Sequence, residues 1–479
     1  MLTYSFIDIG SDSLYIHLYK CIKKDIKEGK LKAGEKLPSK RALAKNLGIS
    51  VITVEGAYEQ LVSEGFVYSM PKRGFYIADI EEITGNAASL DYQEDTEISR
   101  VLLAERVELT GGDNGYLADF TSNQTEMEMF PFTVWTKTVR EVLNDSQLQL
   151  MTNSPCGGIL ELRTAIANYL KEFRGMVVRP EQVIVGAGTE YLYGLLIQLF
   201  GKRKRYAVED PGYNKIAKIY QSMGVACSHV SIDEYGIQPE QLEEAKCDIV
   251  HISPSHHFPT GIVMPISRRY ELLGWANRET GRYIIEDDYD SELRLTGKPI
   301  PTLQSIDVSE KVIYMNTFTK TLSSTVRISY MVLPPKLLEE FYARLSFYSC
   351  TVSNFEQYTL ARFMQNGSFE KHVNRLRSFY QRKRDIIVEA LTRGKIGKYI
   401  SIDGEEAGVH FLMHVTCAKT EEEILKLAKA KGIRLATLAG YYAHGKAEKD
   451  TGLAFVMNYS SIDVEKIDEI AEALYQVVK

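Results

Sequence analysis

Tyr283-Ile284-Ile285-Glu286-Asp287-Asp288-Tyr289-Asp290-Ser291-Glu292 opens as a short apolar strand and stops on carboxylates. Downstream, Thr317-Phe318-Thr319-Lys320-Thr321-Leu322 follows the apolar run 312–315, and Val326-Arg327-Ile328-Ser329-Tyr330 comes after it. Apolar runs of this length bounded by polar residues are consistent with strands inside a sheet covered on both faces. Each one ends in side chains that carry chemistry: a carboxylate after the first, then hydroxyls, an amine and a guanidinium after the second.

The same rhythm extends outward. Short apolar runs at 182–185, 206–208 and 249–252 alternate with helical patterns from Asp119 onward, which predicts an α/β domain with a largely parallel sheet. After Leu337 the pattern becomes helical and includes the basic run 369–384, in which Lys371, Arg375, Arg377, Arg382, Lys383 and Arg384 read as a solvated face. Runs at 409–415 and 453–458 predict strands of a smaller α+β part.

Three further motifs precede the two already quoted. Gly186-Ala187-Gly188-Thr189 follows a strand and opens a helix, so its N–H groups can cradle a phosphate. Asp210-Pro211-Gly212-Tyr213 offers an aromatic ring for stacking, and Pro254-Ser255-His256-His257-Phe258-Pro259-Thr260-Gly261 supplies a turn. A buried lysine loses proton affinity and becomes a neutral nucleophile toward an aldehyde. A carboxylate facing a pyridine nitrogen keeps that nitrogen protonated, and a guanidinium with two hydroxyls completes a phosphate cup. Each motif alone is common; five in this order are not.

The first eighty residues read differently. Tyr15, Leu18, Ile22 and Ile26 recur at helical spacing behind Ser11–Ser13, which can cap a first helix. Ser39 caps a second helix with Leu43 and Leu47 inward and Gly48 at its end. Ser50 or Thr53 opens a third, with Val54, Ala57, Leu61 and Val62 inward and Gly65 closing it. Two strands, 66–68 and 74–77, then flank a turn at 70–73. Three helices followed by a two-stranded wing predict a winged helix-turn-helix, whose third helix enters the major groove of DNA. Ser39, Lys40 and Arg41 at a helix start and Lys72 and Arg73 at the wing tip are candidate phosphate contacts. Ser50, Ile52, Thr53 and Tyr58 are assigned to the exposed side of the third helix as base or backbone contacts.

Charge divides the same way: residues 1–80 carry 12 Lys+Arg against 9 Asp+Glu, whereas the whole chain is −6, a mildly basic head on an acidic body. The acidic, irregular stretch 81–118 reads as a tether, with a short helix expected at 98–107. Domains are therefore expected at 1–80 and 119–479. The six cysteines are scattered without a Cys-x-x-Cys pair, which points to reduced thiols, a cytoplasmic location and no metal site. His256, His257, His410 and His414 have no nearby acidic or thiol partner in sequence, so a metal centre is not expected. No apolar run is long enough to span a membrane.

The head resembles the GntR family over nearly its whole length, and the five motifs resemble a fold-type I aminotransferase. Together the layout is similar to the MocR/GabR group of GntR-type regulators. That resemblance implies pyridoxal 5'-phosphate (PLP) held as a Schiff base on Lys320, Asp287 on its pyridine nitrogen, Tyr289 near its phenolic oxygen and Tyr213 stacked on the ring. Ala187, Gly188, Thr189, Thr317, Thr319 and Arg327 would hold the phosphate. It also implies double-stranded operator DNA as partner and a homodimer.

Three departures bear on function. Val51 stands where the GntR family usually has arginine. Phe258 replaces the asparagine of the family's turn. Alignment of the C-terminal strand puts Ser461 where an aminotransferase holds the substrate carboxylate with arginine, with Lys215 or Arg434 as substitutes. A sensor of PLP itself, or of an amine or amino acid, is therefore expected, controlling vitamin B6 or amino-acid metabolism. The alternative is a working PLP-dependent aminotransferase with an accessory head.

Overall fold

The computed structural model describes residues 2–4, 6, 12–79, 115–122, 126–297, 300–443 and 452–479. The chain divides into two compact units, Met1–Gly112 and Asp113–Lys479. The expected helix at 98–107 and most of the tether lie outside the described residues, as does Ser11.

In the first unit α1 (Leu14–Lys27), α2 (Lys40–Leu47) and α3 (Val51–Ser63) precede the antiparallel pair β1 (Val67–Met70) and β2 (Gly74–Ile77). Two serines start the second and third helices as their sequence positions require: Ser39 Oγ accepts from the Ala42 N–H at 3.2 Å and Ser50 Oγ from the Thr53 N–H at 3.0 Å. Gly48 at φ +66° terminates α2 in the left-handed conformation that a Cβ disfavours. Leu18, Ile22 and Ile26 pack with Leu43, Val54, Ala57 and Leu61.

Tyr58 corrects one expectation. Placed by sequence on the exposed side of α3, it is fully buried, and its hydroxyl donates to the Pro38 carbonyl at 2.9 Å. Positions 54, 57, 58 and 61 form one helical stripe, and Tyr58 lies inside it. Val62, expected inward, falls beyond that stripe and is 37 % exposed. Tyr58→Phe keeps the packing and removes one hydrogen bond, so a urea melt of the head should show a loss of about 1 kcal/mol.

The second unit is built on an eight-stranded sheet. Its strands are β3 (Val183–Gly186), β4 (Arg205–Asp210), β5 (Ala226–Asp233), β6 (Gly236–Ile237), β7 (Ile249–Ile252), β8 (Tyr283–Asp287), β9 (Val312–Thr317) and β10 (Ser329–Val332). Their order is β3-β10-β9-β8-β7-β4-β5-β6. β9, β8, β7, β4 and β5 run parallel, while β10 is antiparallel to both its neighbours. Alternation along β9 sends Ile313 and Met315 to one covered face and Tyr314 to the other, each into its own apolar cluster. β5 has no apolar run, because only Val230 of its eight residues is buried, and the sequence gives little sign of it.

A four-stranded antiparallel sheet follows, from β11 (Ile400–Asp403), β12 (His410–Val415), β13 (Ala436–Thr437) and β14 (Leu453–Asn458), in the order β11-β12-β14-β13. The helix Ser368–Arg393 carries the basic run. It is not a uniformly solvated face: Lys383 and Arg384 are buried, and Lys383 donates to the Ser460 carbonyl at 2.8 Å and pairs with Glu126.

Candidate functional site

The carboxyl ends of β3, β8 and β9 open into one cleft. At one pole the helix α4 (Thr189–Phe200) begins on Gly188, whose φ is +90°. A Cβ there would sit 2.7 Å from Arg327 Nη2, so only glycine lets the guanidinium lie over the helix start. The unsatisfied N–H groups of that first turn, the hydroxyls of Thr189, Thr317, Thr319 and Ser324, and the cations Arg327 and Lys215 make this pole a site for an anion. Glu190 lies at the same pole: Lys215 pairs with it, Arg327 Nη2 lies 3.6 Å away, and Lys215 holds its carboxyl below the usual range.

At the opposite pole Asp287 is buried. Tyr193 donates to its Oδ2 at 3.0 Å, and His251 Nε2 lies 3.3 Å from the same oxygen. Because the carboxylate only accepts, His251 Nε2 carries the proton toward it, and the Tyr220 hydroxyl, 2.8 Å from Nδ1, holds the other side of the ring. Asp287 Oδ1, equally buried, has no partner among the described residues. One protonated ring nitrogen would satisfy it.

Lys320 lies between the poles. Burial of the amine pushes its pKa down to about 8, partly offset by the Asp290 charge. Asp290 Oδ2 is 2.8 Å from His256 Nδ1, and Tyr289 Oη is 3.4 Å from that nitrogen. The walls are Tyr213, Phe258, Val409, His410 and Asn458, with the Phe258 ring edge-on to both Tyr213 and His410. Glu209 also lines the cleft; burial raises its carboxyl to about 8 and, with the neighbouring His256, lowers His257 to about 3. Their 3.6 Å approach is therefore not an ion pair.

Nine of the ten residues expected to hold a cofactor line this cleft: Lys320, Asp287, Tyr289, Tyr213, Gly188, Thr189, Thr317, Thr319 and Arg327. Ala187 does not; its N–H donates to Thr351 Oγ1 at 3.0 Å. Asp290, His251, Tyr193, Glu209, His410 and Asn458 were not singled out as cofactor contacts from sequence. For Asp290 the acid run itself was a signal, and Tyr193 stands one turn after Thr189 on α4; His251, Glu209, His410 and Asn458 are brought in by the arrangement of the strands.

Ser461 is corrected as well. β14 ends at Asn458, so Ser461 sits in the following turn, its Oγ donating to the Asp119 carbonyl at 3.4 Å, beside a different surface depression. The strand's own contribution to the cleft is Asn458. Val456, two residues earlier on the same face, packs with Leu412 near Phe258. Arg434 lies 3.5 Å from Asp119 and does not line the cleft.

In the first unit Ser39, Arg41, Ser50, Lys72, Arg73 and Ile52 are exposed, and Thr53 is half-buried at the start of α3. Lys40 is already engaged, 2.6 Å from Glu55.

Residues 117–474 match the model of aminotransferase class I and II, and residues 14–77 that of bacterial regulatory proteins of the gntR family. The chain belongs to the aminotransferase class I and II family. It carries that family's fold behind a gntR-family head. It is 38 % identical to an uncharacterized HTH-type transcriptional regulator, YdeL of Bacillus subtilis, over 92 % of each chain. It is 27 % identical to the pyridoxine biosynthesis transcriptional regulator PdxR of Corynebacterium glutamicum, over 92 % of this chain and 91 % of that one. Among solved structures, the multiple substrate aminotransferase of Thermococcus profundus has the same fold, with a TM-score of 0.67 at 23 % identity over 79 % of this chain and 94 % of that one. The aminotransferase class I and II cofactor is PLP, and the two poles of the cleft fit it: an anion site at the α4 start and an unfilled carboxylate oxygen on Asp287. Among the described residues no helix is long and apolar enough to cross a membrane.

Proposed function

We propose that the chain is a cytoplasmic, homodimeric DNA-binding regulator in which capture of PLP by Lys320 is the signal. The observation that carries this reading is the composition of the cleft. Its cations are Lys320 and, at the anion pole, Arg327 and Lys215, while β14 presents Asn458 and, beneath it, Val456. This composition supports recognition of the cofactor, whereas among the described residues lining the cleft no arginine faces the strand that would clamp a substrate carboxylate in transamination.

In this reading Thr189, Thr317, Thr319, Ser324 and Arg327 hold the phosphate, Tyr213 covers the ring, and Tyr289 faces the phenolic oxygen. Asp287 holds a proton on the pyridine nitrogen, and Tyr193 and His251 fix the carboxylate in place. Bound there, PLP supplies an electron-withdrawing ring that reacts with amines through its aldehyde. Lys320 donates the neutral amine. Because that amine is mostly protonated at pH 7, the rate at which apo protein captures PLP should rise with pH and level off above about 8, followed by stopped-flow absorbance. Asp287→Ala removes a charge-assisted hydrogen bond and should weaken PLP binding about 10- to 100-fold in an equilibrium titration.

The deciding experiment is operator binding by the full chain with and without PLP, then with PLP and a panel of amines and amino acids. A response to PLP alone supports the reading. A response only when one amine is added would transfer the signal to that amine, and steady keto-acid release would restore the aminotransferase alternative. A second observation favours looking for such an amine: His410 Nε2 is buried at the cleft wall without a partner among the described residues.

A further inference from the structure

The first turn of α3 presents two apolar side chains to water. Ile52 is 79 % exposed and Val51 41 % exposed, whereas Val54, Ala57, Tyr58 and Leu61 of the same helix are fully buried and Val62, near its other end, is 37 % exposed. A lone surface isoleucine is ordinary. Here the two are consecutive, and their position is fixed by the Ser50 cap, which directs the first turn away from the core. The same unit also exposes the cations Arg41 on α2 and Lys72 and Arg73 at the wing tip, with no ion pair to any of them among the described residues. Charges of this sign fit backbone phosphates, and in a winged helix-turn-helix the start of the third helix meets base edges in the major groove. Neither Val51 nor Ile52 has a hydrogen-bonding side chain. The one apolar group on a base edge in the major groove is the C5-methyl of thymine.

We infer that Val51 and Ile52 read thymine methyl groups, so that the operator is recognised at these positions by apolar contact and not by a guanidinium on guanine. The inference rests on the gntR-type head being a DNA reader. It assigns a base identity to a position from which the polar reading residue is absent. Glu55, one turn on from Ile52, is engaged by Lys40 at 2.6 Å and leaves the isoleucine as the projecting group of that face.

The test begins with selection of duplexes from a random pool by the full chain, followed by resynthesis of the recovered site with deoxyuridine replacing one thymidine at a time. Uridine keeps every hydrogen-bonding group and deletes only the methyl. Binding by fluorescence anisotropy should fall about fourfold at one or two thymines of each half-site, the loss expected for one buried methyl, and stay unchanged at the other thymines. Ile52→Ala should bind the parent site more weakly, and the sensitive uridine substitution should then cost nothing further. Ile52 is exposed, so the variant folds; retained binding of non-specific duplex verifies it. Uridine tolerated at every position, or an unchanged uridine penalty in Ile52→Ala and Val51→Ala, overturns the inference while leaving DNA binding intact. Failure of the parent chain to bind any duplex overturns the DNA-reading role itself.

Discussion

Lys320→Ala should abolish the PLP adduct that borohydride fixes on the parent protein, with no mass increase after reduction and no protected peptide around residue 320. The cleft should still bind PLP, because its two poles do not depend on the lysine: the α4 start and Arg327 remain for the phosphate, and Asp287 remains for the ring nitrogen. The bound form should now absorb as a free aldehyde and leave on dilution. Under the proposed reading the variant separates occupancy from signal. A ligand shifts a conformational equilibrium only by its differential affinity for the two states, and typical coupling between sites is about 5- to 150-fold. If the covalent bond provides that difference, operator affinity of Lys320→Ala should no longer change with PLP even at concentrations that fill the cleft. An undiminished response would place the signal in the phosphate and ring contacts and remove Lys320 from it.

The cleft was largely legible in the sequence because its functional groups sit where strands end. Asp287, Lys320 and the Gly188-Thr189 turn each follow a recognisable apolar run, and strand ends at one edge of a parallel sheet converge on one site. What supports them was not legible. His251 lies inside a strand, and nothing local distinguishes it from a core residue. Its role comes from β7 lying beside β8, which is a property of strand order. The Ser461 alignment failed for a related reason: sequence matching carried the strand three residues past its end. In the head, the outward placement of Tyr58 gives way to its position in the 54/57/58/61 stripe, which buries it, and the Pro38 carbonyl satisfies the hydroxyl.

A second large effect lies behind β8. Alternation at the end of that strand sends Asp287 into the cleft and Asp288 away from it. There Arg174 Nη2 meets Asp288 Oδ2 at 2.9 Å with both side chains almost fully buried. Tyr314 donates to the same oxygen at 2.6 Å, and Arg174 also reaches Ser255 Oγ at 3.1 Å. Glu286 and Glu292 are close by, and burial lifts both carboxyls to about 7, with the charge of Asp288 acting in the same direction. Arg174 is therefore the cation paired with Asp288, while the buried Arg269 acts in the same sense on Glu286. Arg174→Met preserves much of the side-chain volume and removes the charge, leaving Asp288 uncompensated; the expected loss is about 3–5 kcal/mol, read by urea denaturation of the full chain. The double variant Arg174→Met/Asp288→Leu should recover most of the stability, because a buried ion pair contributes little net energy beyond that of a well-packed apolar pair. A double variant no more stable than Arg174→Met would show that Tyr314 and Ser255 need the carboxylate and guanidinium as hydrogen-bond partners, and that this network holds the end of β8, and with it Asp287, in register.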